Sequence, residues 1–284
     1  MNCKTVPILS AILGSLVINS VAIAAPKVEF PAPSPSCTEK QRVGLTDIEV
    51  DYSRPSVKGR QIFGGLVPFD KVWRTGANQA TKITFSTPVK LNGTDIAAGT
   101  YGLFTIPGKD EWTIVINKGS DQWGAYKYDE KDDVARFKVT PVELSKPIET
   151  LLIGFNKITD DSSDLFIAWD HTAVPIKLHV DIVDKIVSQI EAEMASDDPK
   201  KPYFQSAAFY YNHGQDLQKA LKWVNMAIAE HEAHYIVFVK AEILAKLGNK
   251  TEAIAAAKRS KELAEQAKDW GYVKQNDDLI ASLQ

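Results

Sequence analysis

Val89-Lys90-Leu91-Asn92-Gly93-Thr94-Asp95-Ile96 reads as two short strands joined by a two-residue turn. Asn-Gly tolerates the positive φ angles that a tight antiparallel hairpin needs. On both sides of this hairpin the apolar period is two. Ile83 and Phe85 alternate with Lys82 and Thr84, and Trp112, Ile114 and Ile116 share a face opposite Thr113, Val115 and Asn117. Leu151, Ile153 and Phe155 alternate again, as do Leu165, Ile167 and Trp169, then Val174, Ile176, Leu178 and Val180. Alternation puts each apolar set on one strand face. Ala98-Gly99 and Pro107-Gly108 punctuate the intervening strands. Short strands with turn signals and no helix between them predict an all-β antiparallel sandwich or barrel over residues 44–182.

Past Asp181 the period changes. Ile182, Ile186, Ile190 and Met194 lie four apart, the spacing of one helix stripe, and Asp197-Asp198-Pro199 stops it. Gly214 and Gly248 are 34 residues apart, and Ala220-Leu221 precedes Ala253-Ile254 by 33. A 34-residue helix-turn-helix period is that of tetratricopeptide repeats. Residues 183–284 are therefore expected to form an α-helical, tetratricopeptide-like domain, with a plain helical bundle as the alternative. The first copy carries one extra residue.

Residues 1–24 have the form of a signal peptide: Lys4, an apolar stretch from Ile8 to Val17, and small residues at Ala22-Ile23-Ala24, with the cut expected after Ala24. Residues 25–43, with Pro26, Pro31, Pro33 and Pro35, read as an extended tether that buries too little to repay its ordering entropy. No other stretch is long and apolar enough to span a bilayer. A periplasmic or secreted protein with no integral membrane segment after signal removal is the expectation. Cys3 leaves with the signal and Cys37 stands alone, as a thiol in a flexible leader or one that pairs between chains.

The chain has 284 residues, 33 basic against 36 acidic, and 44% hydrophobic residues. That composition excludes wholesale disorder and a disulfide-built miniprotein. A net charge of -3 gives no general electrostatic reason to bind nucleic acid.

Candidate chemistry gathers in Asp51-Tyr52-Ser53-Arg54-Pro55-Ser56-Val57-Lys58-Gly59-Arg60 and in Val72-Trp73-Arg74-Thr75-Gly76-Ala77-Asn78, few of whose residues follow a strand or helix pattern. Arg54, Arg60 and Arg74 carry planar forks suited to carboxylate or phosphate. Tyr52 and Trp73 supply flat faces, and Asn78 can donate and accept. A second cluster, Asn117 to Tyr126, contains Trp123. Each aromatic has a plainer reading as core, and each arginine as a brace on loop carbonyls.

Catalytic templates mostly fail. His171 and His179 have equal parity but no third spaced ligand, so no metal is expected. His231-Glu232-Ala233-His234 has the wrong spacing for a zinc helix. There is no Gly-x-Ser-x-Gly elbow, and Gly59, Gly64 and Gly65 lack a phosphate-loop ending. Asp51, Asp70, Asp121 and Asp129 leave open a carboxylate pair of the glycosidase kind.

Tyr-Ser-Arg-Pro-Ser-Val-Lys-Gly-Arg (52–60), Val-Trp-Arg-Thr-Gly-Ala-Asn (72–78), Ala-Gly-Thr-Tyr (98–101), Phe-Thr-Ile-Pro (104–107) and Asp-Gln-Trp-Gly-Ala-Tyr (121–126) resemble a family of exported bacterial proteins, domain of unknown function 2911. The resemblance covers roughly residues 35–180. It implies a β-rich domain with a helical, sometimes tetratricopeptide-like, tail, and supplies no activity or catalytic residues. The sequence departs from the pattern at Gly102, where a serine is common.

The leading expectation is a non-enzymatic binding protein without cofactor. Its β domain would hold a polar or anionic ligand, such as a glycan or envelope component, through Tyr52, Arg54, Arg60, Trp73, Arg74, Asn78 and Trp123. Its helices would bind a protein partner or pack on the sandwich. A carboxylate-based hydrolase of envelope glycans and a pure interaction scaffold are the alternatives.

Overall fold

The computed structural model describes residues 30–284; the leader expected at 1–24 lies outside the described residues. The strands are β1 (Ser36–Val43), β2 (Thr46–Ser53), β3 (Thr81–Phe85), β4 (Val89–Leu91), β5 (Thr94–Ile96), β6 (Gly99–Ile106), β7 (Trp112–Asn117), β8 (Asp133–Val139), β9 (Val142–Asn156) and β10 (Ser162–His179). They form two antiparallel sheets, ordered β1-β2-β3-β6-β7-β8 and β5-β4-β10-β9. The hairpin between β4 and β5 turns on Asn92 at φ 46° and Gly93 at φ 81°, as the dipeptide predicts.

One core lies between the sheets. Ile48, Val50, Ile83, Leu103, Ile114 and Ile116 enter from the first sheet, and Ile153, Leu165, Ile167 and Trp169 from the second. In β10 the inward residues switch parity, odd through Trp169 and even from Val174. The register shifts on either side of Asp170, which sits at φ 53°, absorb the change. The outer face of the first sheet is also covered, where Ala80, Phe104 and Val115 form a small second cluster with Ala125 and Tyr128 packed against it. This is why β7 is buried on both faces rather than one.

The expected tether ends earlier than its composition suggests. Ser36–Val43 is strand β1, paired along its whole length with β2. Its prolines precede it, ending at Pro35. Being an edge strand, it gains ladder hydrogen bonds without needing an apolar face, so a hydrophobicity reading overlooks it. Cys37 accordingly lies half-buried in a strand, opposite Tyr52, and not in a flexible leader.

The helices are α1 (Val183–Ala195), α2 (Tyr203–Asn212), α3 (Leu217–Glu230), α4 (His234–Lys246), α5 (Lys250–Ala267) and α6 (Trp270–Leu283). The stripe on α1 joins the two halves: Ile182 lies in the β core, Ile190 in the helical core, and Ile186 packs against both. Phe209 of α2 also touches both cores, and His213 Nε2 stands 3.4 Å from Asp160 Oδ2 of the β9–β10 turn. Gly214 and Gly248 follow α2 and α4 at φ 64° and 84°, a left-handed helix stop that glycine adopts readily. Asp216 caps α3 by accepting from the Gln218 and Lys219 amides. No helix among the described residues is long and apolar enough to cross a membrane.

Candidate functional site

Segment 54–80, between β2 and β3, is pinned to both sheets. Its start is sewn to β9, where the Val57 amide donates to Glu149 and the Leu151 amide to Pro55. Its end is sewn to β6, where Trp73 and Thr105 exchange both backbone hydrogen bonds at 2.7 and 2.9 Å. Between the anchors the segment arches over the core and leaves a solvent-reachable cavity of about 380 Å³.

The floor is aromatic. Trp73 stacks on Trp169 of β10, with ring centres 5.9 Å apart and planes 16° from parallel. Trp112 and Phe63 meet Trp73 edge-on. The Trp73 indole donates to the Gly76 carbonyl at 3.1 Å, which ties the ring to its own turn. Trp73 is 7% exposed, so it is a wall of the core and of the cavity at once.

The cavity's charge is one-signed. Arg60, Lys71 and Arg74 line it, and no Asp or Glu among the described residues does. Among the described residues none of the three makes an ion pair. Arg60 is exposed and braced, its Nε donating to the Val57 carbonyl and its Nη2 to the Ser56 carbonyl. Those carbonyls orient the guanidinium without neutralising it. Arg74 is half-buried, and its Nε is fully buried with no hydrogen-bond partner among the described residues. Burial pulls the Arg74 guanidinium below its ordinary pKa, partly opposed by the Tyr126 phenol.

The backbone that presents Arg74 is strained. Thr75 is wholly buried at φ 56°. A β-branched residue in that region costs about 1–2 kcal/mol. Its hydroxyl donates to Thr105 Oγ1 at 3.2 Å, and its carbonyl accepts from Thr81 Oγ1 at 2.9 Å. Gly76 follows against the Ser53 carbonyl, where a Cβ would stand 3.1 Å away.

Of the expected site residues, Arg60, Trp73 and Arg74 therefore share one cavity. Arg54 does not join them: its Nε donates to the Leu151 carbonyl at 2.9 Å, bracing β9. Tyr52 is a strut between the sheets, its hydroxyl accepting from the Ile153 amide at 3.0 Å and donating to the Ile153 carbonyl at 3.2 Å. Burial pushes its phenol up to about 12. Tyr52 borders a separate groove with Cys37, Asp51 and Lys82. Asn78 ties Ser34 and Ser53 together through its side-chain amide. Trp123 bridges to Gln79 through the backbone and leaves its ring 62% exposed, outside the cavity wall.

Two wall residues were not foreseen as binding groups. Lys71 lies one residue before the stretch Val72–Asn78, and only its lack of a strand pattern could have flagged it. Trp169 reaches the site from β10, a juxtaposition that no local pattern carries. Of the carboxylates, Asp51 accepts from the Thr38 hydroxyl, Asp121 pairs with Lys82 at 3.4 Å, and Asp129 caps the 3₁₀ turn Glu130–Asp132. The histidines are also occupied: His171 Nδ1 lies 2.9 Å from the Leu144 carbonyl, and His179 Nε2 3.1 Å from Asp181.

Comparison with protein-family models matches residues 34–178 to the family described as a protein of unknown function, DUF2911. The match covers β1 to β9, β10 as far as Leu178, and the segment that forms the cavity, and the chain belongs to this family. No curated protein and no solved structure matches the chain.

Proposed function

We propose that this member of the DUF2911 family is an exported, non-enzymatic binding protein whose β domain holds a polar, anionic ligand in the cavity under segment 54–80. The observation that carries the reading is the set Arg60, Lys71 and Arg74 around one space, with no carboxylate of the described residues to neutralise them. An anion in the cavity would supply the charge-assisted hydrogen bonds that the protein's own described residues do not. The volume, about 380 Å³, falls in the range of small-ligand pockets. Since no carboxylate of the described residues lines the space, the cavity favours binding over the acid/base pair of a glycosidase.

Export rests on the form of residues 1–24, which places the ligand among envelope components, acidic glycans included. The helical tail belongs to the same proposal as a protein-docking module. The contacts of each helix from α2 to α6 with the next in sequence, and the two glycine stops 34 residues apart, support the tetratricopeptide-like reading.

Calorimetry against acidic envelope glycans and anionic metabolites tests the cavity. A saturable heat that Arg74→Ala weakens at least tenfold is the expected result. An affinity that Arg74→Ala leaves unchanged overturns the assignment.

A further inference from the structure

We infer that the group held at Arg74 is a phosphomonoester carried on a compact ring, rather than a carboxylate; the inference rests on the anion-binding reading above. Charge balance is the first ground. Arg60, Lys71 and Arg74 border a single cavity with no carboxylate in its wall and no ion partner among the described residues. A monocarboxylate leaves two of the three uncompensated, whereas a phosphomonoester carries nearly two charges at neutral pH and offers three strong acceptor oxygens. The number of acceptors is the second ground. Three cations border one space. A phosphomonoester offers three terminal oxygens, one for each, whereas a carboxylate offers two. The remaining wall supplies the body of the ligand. Leu66 and Pro68, both exposed, give apolar surface next to the charged mouth. A sugar ring, with an apolar face, lies against such a surface while its phosphate meets the arginines.

A phosphorylated sugar and a lipid phosphate headgroup share this chemistry, and the experiment separates them. The full chain is titrated with glucose 1-phosphate, with glucuronate as the ring-matched carboxylate, and with inorganic phosphate, and is floated with vesicles containing phosphatidic acid. We expect glucose 1-phosphate to bind about tenfold or more tightly than glucuronate, and more tightly than inorganic phosphate. We expect its affinity to fall about tenfold from pH 7.5 to pH 5, as the second phosphate proton is taken up near pH 6. No His, Asp or Glu among the described residues lines the cavity to mimic that change. Co-flotation with phosphatidic acid vesicles and no binding of glucose 1-phosphate would move the source to a lipid and keep the phosphomonoester. Glucuronate binding as tightly as the sugar phosphate, or an affinity flat with pH, sinks the phosphomonoester and leaves anion binding standing. Absence of binding by every one of these anions sinks both. Arg60→Gln and Lys71→Gln, both at exposed positions, serve as variants that do not depend on how Arg74→Ala folds. Each is expected to weaken glucose 1-phosphate at least threefold, and no loss in either overturns the three-cation clamp.

Discussion

Replacing Arg74 with methionine should stabilise the protein while it abolishes anion binding. The Arg74 Nε is buried without a partner, and burial pulls the guanidinium away from its charged form. Leaving a buried donor unsatisfied costs about 1–3 kcal/mol. The rest of the guanidinium is reached by water, so the lower end, about 1 kcal/mol, is the gain expected when methionine fills the site with an apolar chain of similar length. For a domain of this size that corresponds to a rise of about 3 °C in Tm. Urea denaturation followed by tryptophan fluorescence reads it, because Trp73, Trp112 and Trp169 lie in the β core. Arg54→Met is the matched control: its Nε holds the Leu151 carbonyl at 2.9 Å, so losing it should cost about 1 kcal/mol. Arg74→Met destabilising by as much as Arg54→Met would refute the reasoning, because Arg74 would then be a brace.

Tyr52→Phe strips both the acceptor of the Ile153 amide and the donor to its carbonyl, and should cost about 2 kcal/mol in urea unfolding. In the wild type the Tyr52 phenol, ionising at about 12, contributes stability that is whole below the ordinary tyrosine value and is lost as pH climbs towards 12; absorbance titration of Tyr52→Phe should lack that late-ionising phenol. Lys177 at 2.7 Å and Lys157 at 3.3 Å hold the Asp164 carboxyl below the usual carboxylate range. The stability it lends is present above the unfolded carboxylate value and disappears as pH falls through the folded one, so the urea midpoint should drop more steeply between about pH 5 and pH 3 in the wild type than in Asp164→Asn. Gly248→Ala meets no neighbouring atom but must hold φ 84°, and should lose about 1 kcal/mol of stability, with Gly248→Asn losing less.

The strands and turns were legible because their causes are local. Asn92-Gly93 turns where Asn-Gly can, and the alternation in β3 is written in its own five residues. Gly214 and Gly248 likewise announce helix ends by needing left-handed backbone. Strand β1 was hidden because its partner β2, rather than its own composition, holds it. The site was half legible for a similar reason. The sequence identifies arginines outside regular structure, yet whether a guanidinium meets a carbonyl or open space depends on distant chain. Arg54 finds Leu151 nearly a hundred residues away, while Arg74, in the same kind of loop, finds nothing.

That contrast also says why the cavity is a prepared site. A loop held only by its own residues would relax until Arg74 reached water or an acceptor. Here the paired amides of Trp73 and Thr105, the Trp73 indole on Gly76 and the Thr81 hydroxyl on Thr75 fix the turn from three directions. Each is worth about 1 kcal/mol, enough together to hold Thr75 in its left-handed conformation and Arg74 short of a partner. The ordering that a ligand would otherwise have to impose is therefore complete before it arrives, which is the condition under which a few charged contacts give useful affinity. Thr81→Val removes one of the three ties without touching the cavity wall. It should weaken anion binding several-fold by loosening the turn, and calorimetry showing wild-type affinity in a destabilised Thr81→Val protein would mean that the strain at Thr75 has no part in presenting Arg74.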